Sequence, residues 1–158
     1  PPAALFAVLA LLVLAAPGLA AGPAAGDGPP PVWNGTGGVA IGGYDPVAYV
    51  ADGAPAMGDP ARAVTWNGAT WLFASDANRA AFEADPALFA PAYGGYCAYA
   101  MAEGATAPVD PVDGWTVHDG RLYLNYSADI RDRWRRDIPG YVAAADAHWP
   151  GVAAGLAP

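Results

Sequence analysis

The hydrophobic pattern divides the chain into three parts. Residues 3–16 are an unbroken apolar run, residues 22–31 are mostly Gly, Pro and Ala, and from Val39 onwards apolar and polar positions alternate in short blocks separated by turn residues. In this last part, 63–66 and 69–74 are β-prone blocks around Asn67-Gly68, the dipeptide that best accepts the positive φ angles of a type I′ hairpin turn. Ser75 follows, with a hydroxyl suited to accept from an orphan N–H of a first helical turn, and helix formers continue to Ala84 with Phe82 on the apolar side. Asp85-Pro86 opens another helical turn through Phe89. The same order returns downstream: a strand at 115–118, the turn Asp119-Gly120, a strand at 121–126, the cap Ser127, and a helix burying Ile130 and Trp134. A closing helix spans 141–148. Two hairpins, each backed by a helix, predict an α+β fold.

The two copies share a fixed register of 52 residues. Gly42-Gly43-Tyr44 recurs as Gly94-Gly95-Tyr96, Leu72 as Leu124, Ser75 as Ser127, Arg79 as Arg131 and Asp85 as Asp137, without a gap. The matches fall on an entry loop, a turn, a helix cap and a helix core position, where a shared backbone constrains sequence most. We therefore read unit one as 41–91 and unit two as 93–143, within one domain over 39–150, and expect 63–82 and 115–134 to share a topology about a pseudo-two-fold axis.

The flanks carry a different signal. The run at 3–16, followed by Pro17-Gly18-Leu19-Ala20, reads as a secretory h-region with a small-residue cleavage site, so 1–21 is expected to be a signal peptide cut at its start, and the protein periplasmic or secreted. An uncleaved anchor is the rival, since the apolar stretch approaches the ~20 residues needed to span a bilayer; after cleavage no stable membrane insertion is expected. Residues 22–38 read as a flexible tether and 151–158 as a disordered tail. Net charge is −8 with seven Arg and no Lys, and the only basic run, 131–136, is interrupted by acid and by Trp134 at helical spacing. That excludes a nucleic-acid surface and favours a solvated helix face. A single Cys means no internal disulfide, so six Trp, eight Tyr and four Phe must supply the packing.

Cys97 is the leading candidate for chemistry. It follows Gly94-Gly95 in an Ala-rich stretch that Gly104 ends, which places it in the first turn of a short helix, where unpaired N–H groups favour thiolate. The bland reading is a small core residue. Met101, four residues on, would complete a soft-sulfur pair suited to Cu(I), with His118 as a further ligand candidate, although Met101 also reads as a core filler and His118 as a packing or surface position. Asp45 aligns with Cys97 and is a candidate proton acceptor, or else the N-cap before Pro46. Tyr44, Tyr96 and Tyr99 are candidate walls of a shared cleft, Asp110 reads as a turn former, and Asp113 and His148 are weaker polar candidates. No C-x-x-C or H-x-x-x-H spacing occurs, which removes support for structural zinc or a thioredoxin-like dithiol. Asn34-Gly35-Thr36 matches a glycosylation sequon.

Asp45-Pro46-Val47 and the stretch 71–86, WLFASDANRAAFEADP, resemble the YHS domain family, with its opening D-P-V-C-G-M and its Y-x-F-C-S-x-x-C-x-x-x-F-E-A-D-P. The segments Tyr93-Gly94-Gly95-Tyr96-Cys97-Ala98-Tyr99-Ala100 and Leu122-Tyr123-Leu124-Asn125-Tyr126 resemble an exported subgroup, some of whose members carry selenocysteine at the place of Cys97. The resemblance implies two YHS-like units and a link to transition metals, copper among them, or to redox chemistry. Ala48, Ala74 and Asn78 stand where metal-binding members have Cys, so the usual thiolate site is not implied here. The functional expectation is a thiol-centred site at Cys97 for redox or copper handling, as a possible thiol-dependent oxidoreductase acting on a small-molecule or metal ligand. The alternative is a non-catalytic binding or structural module with an inert core cysteine.

Overall fold

The computed structural model describes residues 30–33, 35 and 37–156. The expected signal segment, most of the tether and two sequon residues, Asn34 and Thr36, lie outside the described residues, as do 157–158. The fold is α+β. In unit one, β1 (Asp59–Trp66) pairs antiparallel with β2 (Ala69–Phe73); in unit two, β3 (Trp115–His118) pairs with β4 (Arg121–Leu124). Asn67 and Gly68 have φ of 49° and 75°, and Asp119 and Gly120 have 49° and 76°, as a primed two-residue turn requires. β1 begins earlier than its hydrophobic block, because a register shift between Asp59 and Ala63 lets Asp59 pair with Phe73.

Each hairpin leads into a capped helix. Ser75 Oγ accepts from Asn78 N at 3.1 Å to start α2 (Asp76–Ala84), and Ser127 Oγ accepts from Ile130 N at 3.3 Å to start the equivalent helix. After α2, a short α3 (Pro86–Phe89) is capped by Asp85. The entry loops match even more closely. The tight turns Ala40–Gly43 and Ala92–Gly95 hold Ile41 and Tyr93 at φ 43° and 56°, with Gly42 and Gly94 at 67° and 62°. A non-glycine residue in left-handed conformation costs roughly 1–2 kcal/mol, so its recurrence at one register marks a common backbone plan. These turns feed α1 (Pro46–Ala51) and α4 (Ala98–Ala102).

The remaining helices are α5 (Ala128–Trp134) and α6 (Ile138–Ala154). α6 begins before and ends beyond the expected 141–148, so the predicted tail is helical through Ala154. Val142, Ala145, Trp149, Val152 and Leu156 form an apolar stripe at alternating three- and four-residue spacing, and all five belong to the unit-two core, which draws the chain past Pro150 as helix. The far end of the tether is also part of the fold. Val32 is buried, Trp33 N donates to Gly94 O at 2.8 Å, and Ile41 N donates to Trp33 O at 3.1 Å.

Two cores result, and β4 separates them. Leu122 and Leu124 face a cluster that includes Ile41, Val47, Tyr49, Trp71, Phe73 and Phe82 of unit one. Tyr123 points the other way, among Tyr93, Met101, Trp134 and Ala145. The repeat-related face of β2 is different: Thr70 and Leu72 are only half-buried, and Leu72 lines an open groove with Val39 and Met57. The units thus share a topology but not an environment, and the expected two-fold equivalence of their surroundings does not hold. The basic run is the solvated helix face expected, with Arg133, Arg135 and Arg136 exposed around the buried Trp134, although Arg131 donates to Asp113 O, and Arg135 donates to Thr116 Oγ1 at 2.9 Å and Trp115 O at 3.2 Å.

Two predictions concern stability. Ser75→Ala and Ser127→Ala should each lower unfolding free energy by about 1 kcal/mol, and the double variant by about their sum, in urea denaturation. Tyr49 donates to Pro111 O at 2.7 Å from a buried site. Burial, then the fields of Tyr44, Asp110 and Asp45, hold its phenol well above the usual tyrosine range. The stabilisation from this raised folded pKa is complete below about pH 10, the unfolded value, and is lost as pH rises towards the folded one. Unfolding midpoints should therefore fall steeply above about pH 10, and more shallowly in Tyr49→Phe.

Candidate functional site

Cys97 occupies the N-cap of α4 rather than its first turn, and its side chain makes no capping bond. Its N–H donates to Ala107 O at 3.1 Å and its carbonyl accepts from Met101 N at 2.9 Å. The thiol is 1% exposed and donates to Asn125 Oδ1 at 3.7 Å. A thiol is a weak acceptor, so α4 needs a cap from elsewhere. Asn125 supplies it: its Oδ1 also accepts from Tyr99 N at 3.0 Å, while its Nδ2, fully buried, has no partner among the described residues.

The repeat shows what this replaces. In unit one the N-cap is Asp45, whose Oδ1 accepts from Val47 N at 2.8 Å and Ala48 N at 3.4 Å, and whose Oδ2 accepts from Ala74 N at 2.8 Å and Asn78 Nδ2 at 2.7 Å. Val47 and Tyr99 are register equivalents, as are Phe73 and Asn125. Unit two has moved the capping oxygen from the helix start to the end of β4, leaving a thiol at the vacated position.

This arrangement corrects the proton-acceptor assignment. Asp45 holds four donors, all from unit one, and is fully buried, whereas Cys97 bonds only unit-two groups. With both side chains sealed from solvent, the shared cleft does not form. Its expected walls also diverge. Tyr44 pairs through its backbone with Met57, Tyr96 OH donates to Pro30 O at 2.6 Å, and the Tyr99 ring lies 5.1 Å from Tyr141 with the Arg133 guanidinium 5.9 Å away. Tyr96 does line a recess of about 210 Å³ with Trp33, Ala107 and Pro108.

The soft-metal set is not assembled either. Because α4 starts at Ala98, Cys97 and Met101 do not share a helix face: Cys97 packs in the first core and Met101, fully buried, in the second. His118 sits at the end of β3, its Nε2 3.5 Å from Asp119 Oδ2. Among the described residues no three His, Cys, Asp or Glu side chains converge. Asp110 forms its turn, accepting from Val112 N at 2.9 Å and Asp113 N at 3.1 Å. Asp113 is exposed, and the exposed His148 packs over Gly104.

The structure brings together a group that the sequence does not relate. Trp66 and Trp71 of the first hairpin, Tyr93 of the second entry turn, Trp149 of α6 and Arg121 at the start of β4 line a recess of about 220 Å³, closed at one side by Pro31 and Val32. The Arg121 guanidinium lies 5.8 Å from the Tyr93 ring and 5.9 Å from the Tyr123 ring. The sequence signal was the placement of Trp66 and Arg121 beside the two hairpin turns, which only folding brings close.

Asn125→Ala should lower stability by about 1 kcal/mol, because it removes the acceptor of the part-buried Tyr99 N–H. Urea denaturation checks this, and an unchanged midpoint would mean that the amide does nothing for α4. Compared with family models, curated proteins and solved structures, the chain matches none.

Proposed function

We propose that this domain is a YHS-like binding module of an exported protein, and that Cys97 serves it as a core residue rather than as a reactive thiol. The burial of Cys97 to 1% exposure, within an apolar cluster that includes neither Met101 nor His118, carries this reading. A nucleophile or a Cu(I) ligand needs access and converging partners, and among the described residues this thiol has a hydrogen bond to Asn125 alone. The YHS resemblance supports the module's origin and its export, since its residues include the entry and capping positions that build both units.

One observation favours a second reading, thiol-centred redox or copper handling. The unpartnered Nδ2 of Asn125 places a free donor in the same core as the thiol, where unit one has the apolar Phe73. Alkylation separates the two. Under the binding-module reading, Cys97 in the native protein should react with iodoacetamide at least about 100-fold more slowly than in urea, since opening a core costs several kcal/mol and each ~1.4 kcal/mol is tenfold. A native rate within a few-fold of the unfolded one, or protection conferred by Cu(I), would establish the thiol-centred reading instead.

A further inference from the structure

We propose that the outer edge of β1 pairs with a second copy of this chain: the two β1 strands meet antiparallel about a two-fold axis at Val64, giving a four-stranded sheet in the order β2-β1-β1-β2. The pairing goes beyond the binding-module reading and does not depend on it.

The turn fixes which backbone groups face outwards. A two-residue turn at Asn67-Gly68 makes Trp66 and Ala69 a pair that exchanges hydrogen bonds, so the pairs Thr65–Thr70 and Ala63–Leu72 aim their N–H and C=O groups away from each other. Thr70 shows this directly, since its N–H donates outwards to Gly38 O at 3.0 Å. On the other edge, no hydrogen bond among the described residues reaches the N–H or C=O of Ala63 or Thr65, and both residues are exposed.

This edge is closed only at its start. There Pro60 has no N–H, the register shifts between Asp59 and Ala63, and Ala61 N donates to Asp59 Oδ1 at 2.9 Å. Charged side chains commonly guard what remains of an edge, and unit two has such a guard: Arg135 lies across β3, donating to Trp115 O and Thr116 Oγ1. In the 52-residue register those three residues become Glu83, Ala63 and Val64. A carboxylate cannot donate to Ala63 O and Val64 has no hydroxyl, so unit one lacks the guard.

The exposed groups are self-complementary. With Val64 on the axis, Ala63 of each copy exchanges both hydrogen bonds with Thr65 of the other, as an isologous contact requires. Small side chains at both positions let the backbones reach the ~4.8 Å strand spacing. Arg62 comes opposite the partner copy's Trp66, a cation beside an indole, so no like charges face each other across the two strands although each chain carries net charge −8. Sliding the pair by two residues loses bonds, because it sets Ala61, whose N–H is committed, or Asn67, in the turn, against the edge.

Sedimentation equilibrium of the full chain over about a hundredfold range of concentration should show a reversible monomer–dimer equilibrium. Thr65→Lys, at an exposed position, puts ammonium groups on diagonal sites of the pairing and should weaken association by about tenfold or more, with the circular dichroism spectrum unchanged. Val64→Cys tests the register. A non-hydrogen-bonded antiparallel pair brings its Cα atoms to about 4.5 Å, so with oxidised glutathione this variant should form a disulfide-linked dimer, whereas Thr65→Cys, on the ~7–8 Å diagonal, should not. A chain that stays monomeric throughout, an association that Thr65→Lys leaves intact, or crosslinking of Thr65→Cys in preference to Val64→Cys overturns the proposal.

Discussion

Strand β4 is buried on both faces, and the arrangement of the two units follows from that. A strand with one wet face would need only a helix behind it. Here Leu122 and Leu124 close the core shared with unit one, while Tyr123 stacks 5.0 Å from Trp134 in the core capped by α6. Burying each such side chain contributes about 1.5–3 kcal/mol, which is enough to hold two small hairpins that would be marginal alone. β2 has no matching second layer, so its Thr70 and Leu72 face stays partly open. One backbone plan used twice has become an inner copy and an outer copy.

The polar interior reflects the same divergence. Unit one buries a carboxylate at its helix entry and satisfies it with four donors; unit two buries a thiol there and borrows a cap from Asn125. A buried anion with one missing donor is costly, whereas a neutral thiol needs none, so Cys97 is a low-cost occupant of a position that no longer caps. The unpartnered Nδ2 of Asn125 is the residual cost of moving the cap to another chain segment.

The recess arises from the same asymmetry. It lies where the tip of one hairpin meets the entry turn of the other unit, and α6 and the strap at Pro31 and Val32 complete it. None of its aromatic residues pairs with another in the repeat register. It belongs to the junction of the units and not to either alone.

The sequence determined the local structure, because hairpin turns, caps and the 52-residue register are set by short-range backbone chemistry. Asn67-Gly68 and Asp119-Gly120 accept positive φ, Ser75 and Ser127 cap, and the α+β class follows from alternation and helical spacing. Placement of Asp45 at a helix start was legible for the same reason. Only the tertiary structure decided which faces meet. A helix face drawn from residue spacing put Cys97 beside Met101, but one residue's difference in where α4 begins sent them into separate cores. The path of α6 beyond Pro150 depended on a core waiting for Val152 and Leu156. Trp66, Trp71, Tyr93, Arg121 and Trp149 span 84 residues of chain, and no local rule relates them: their meeting is fixed by the burial of β4 from both sides.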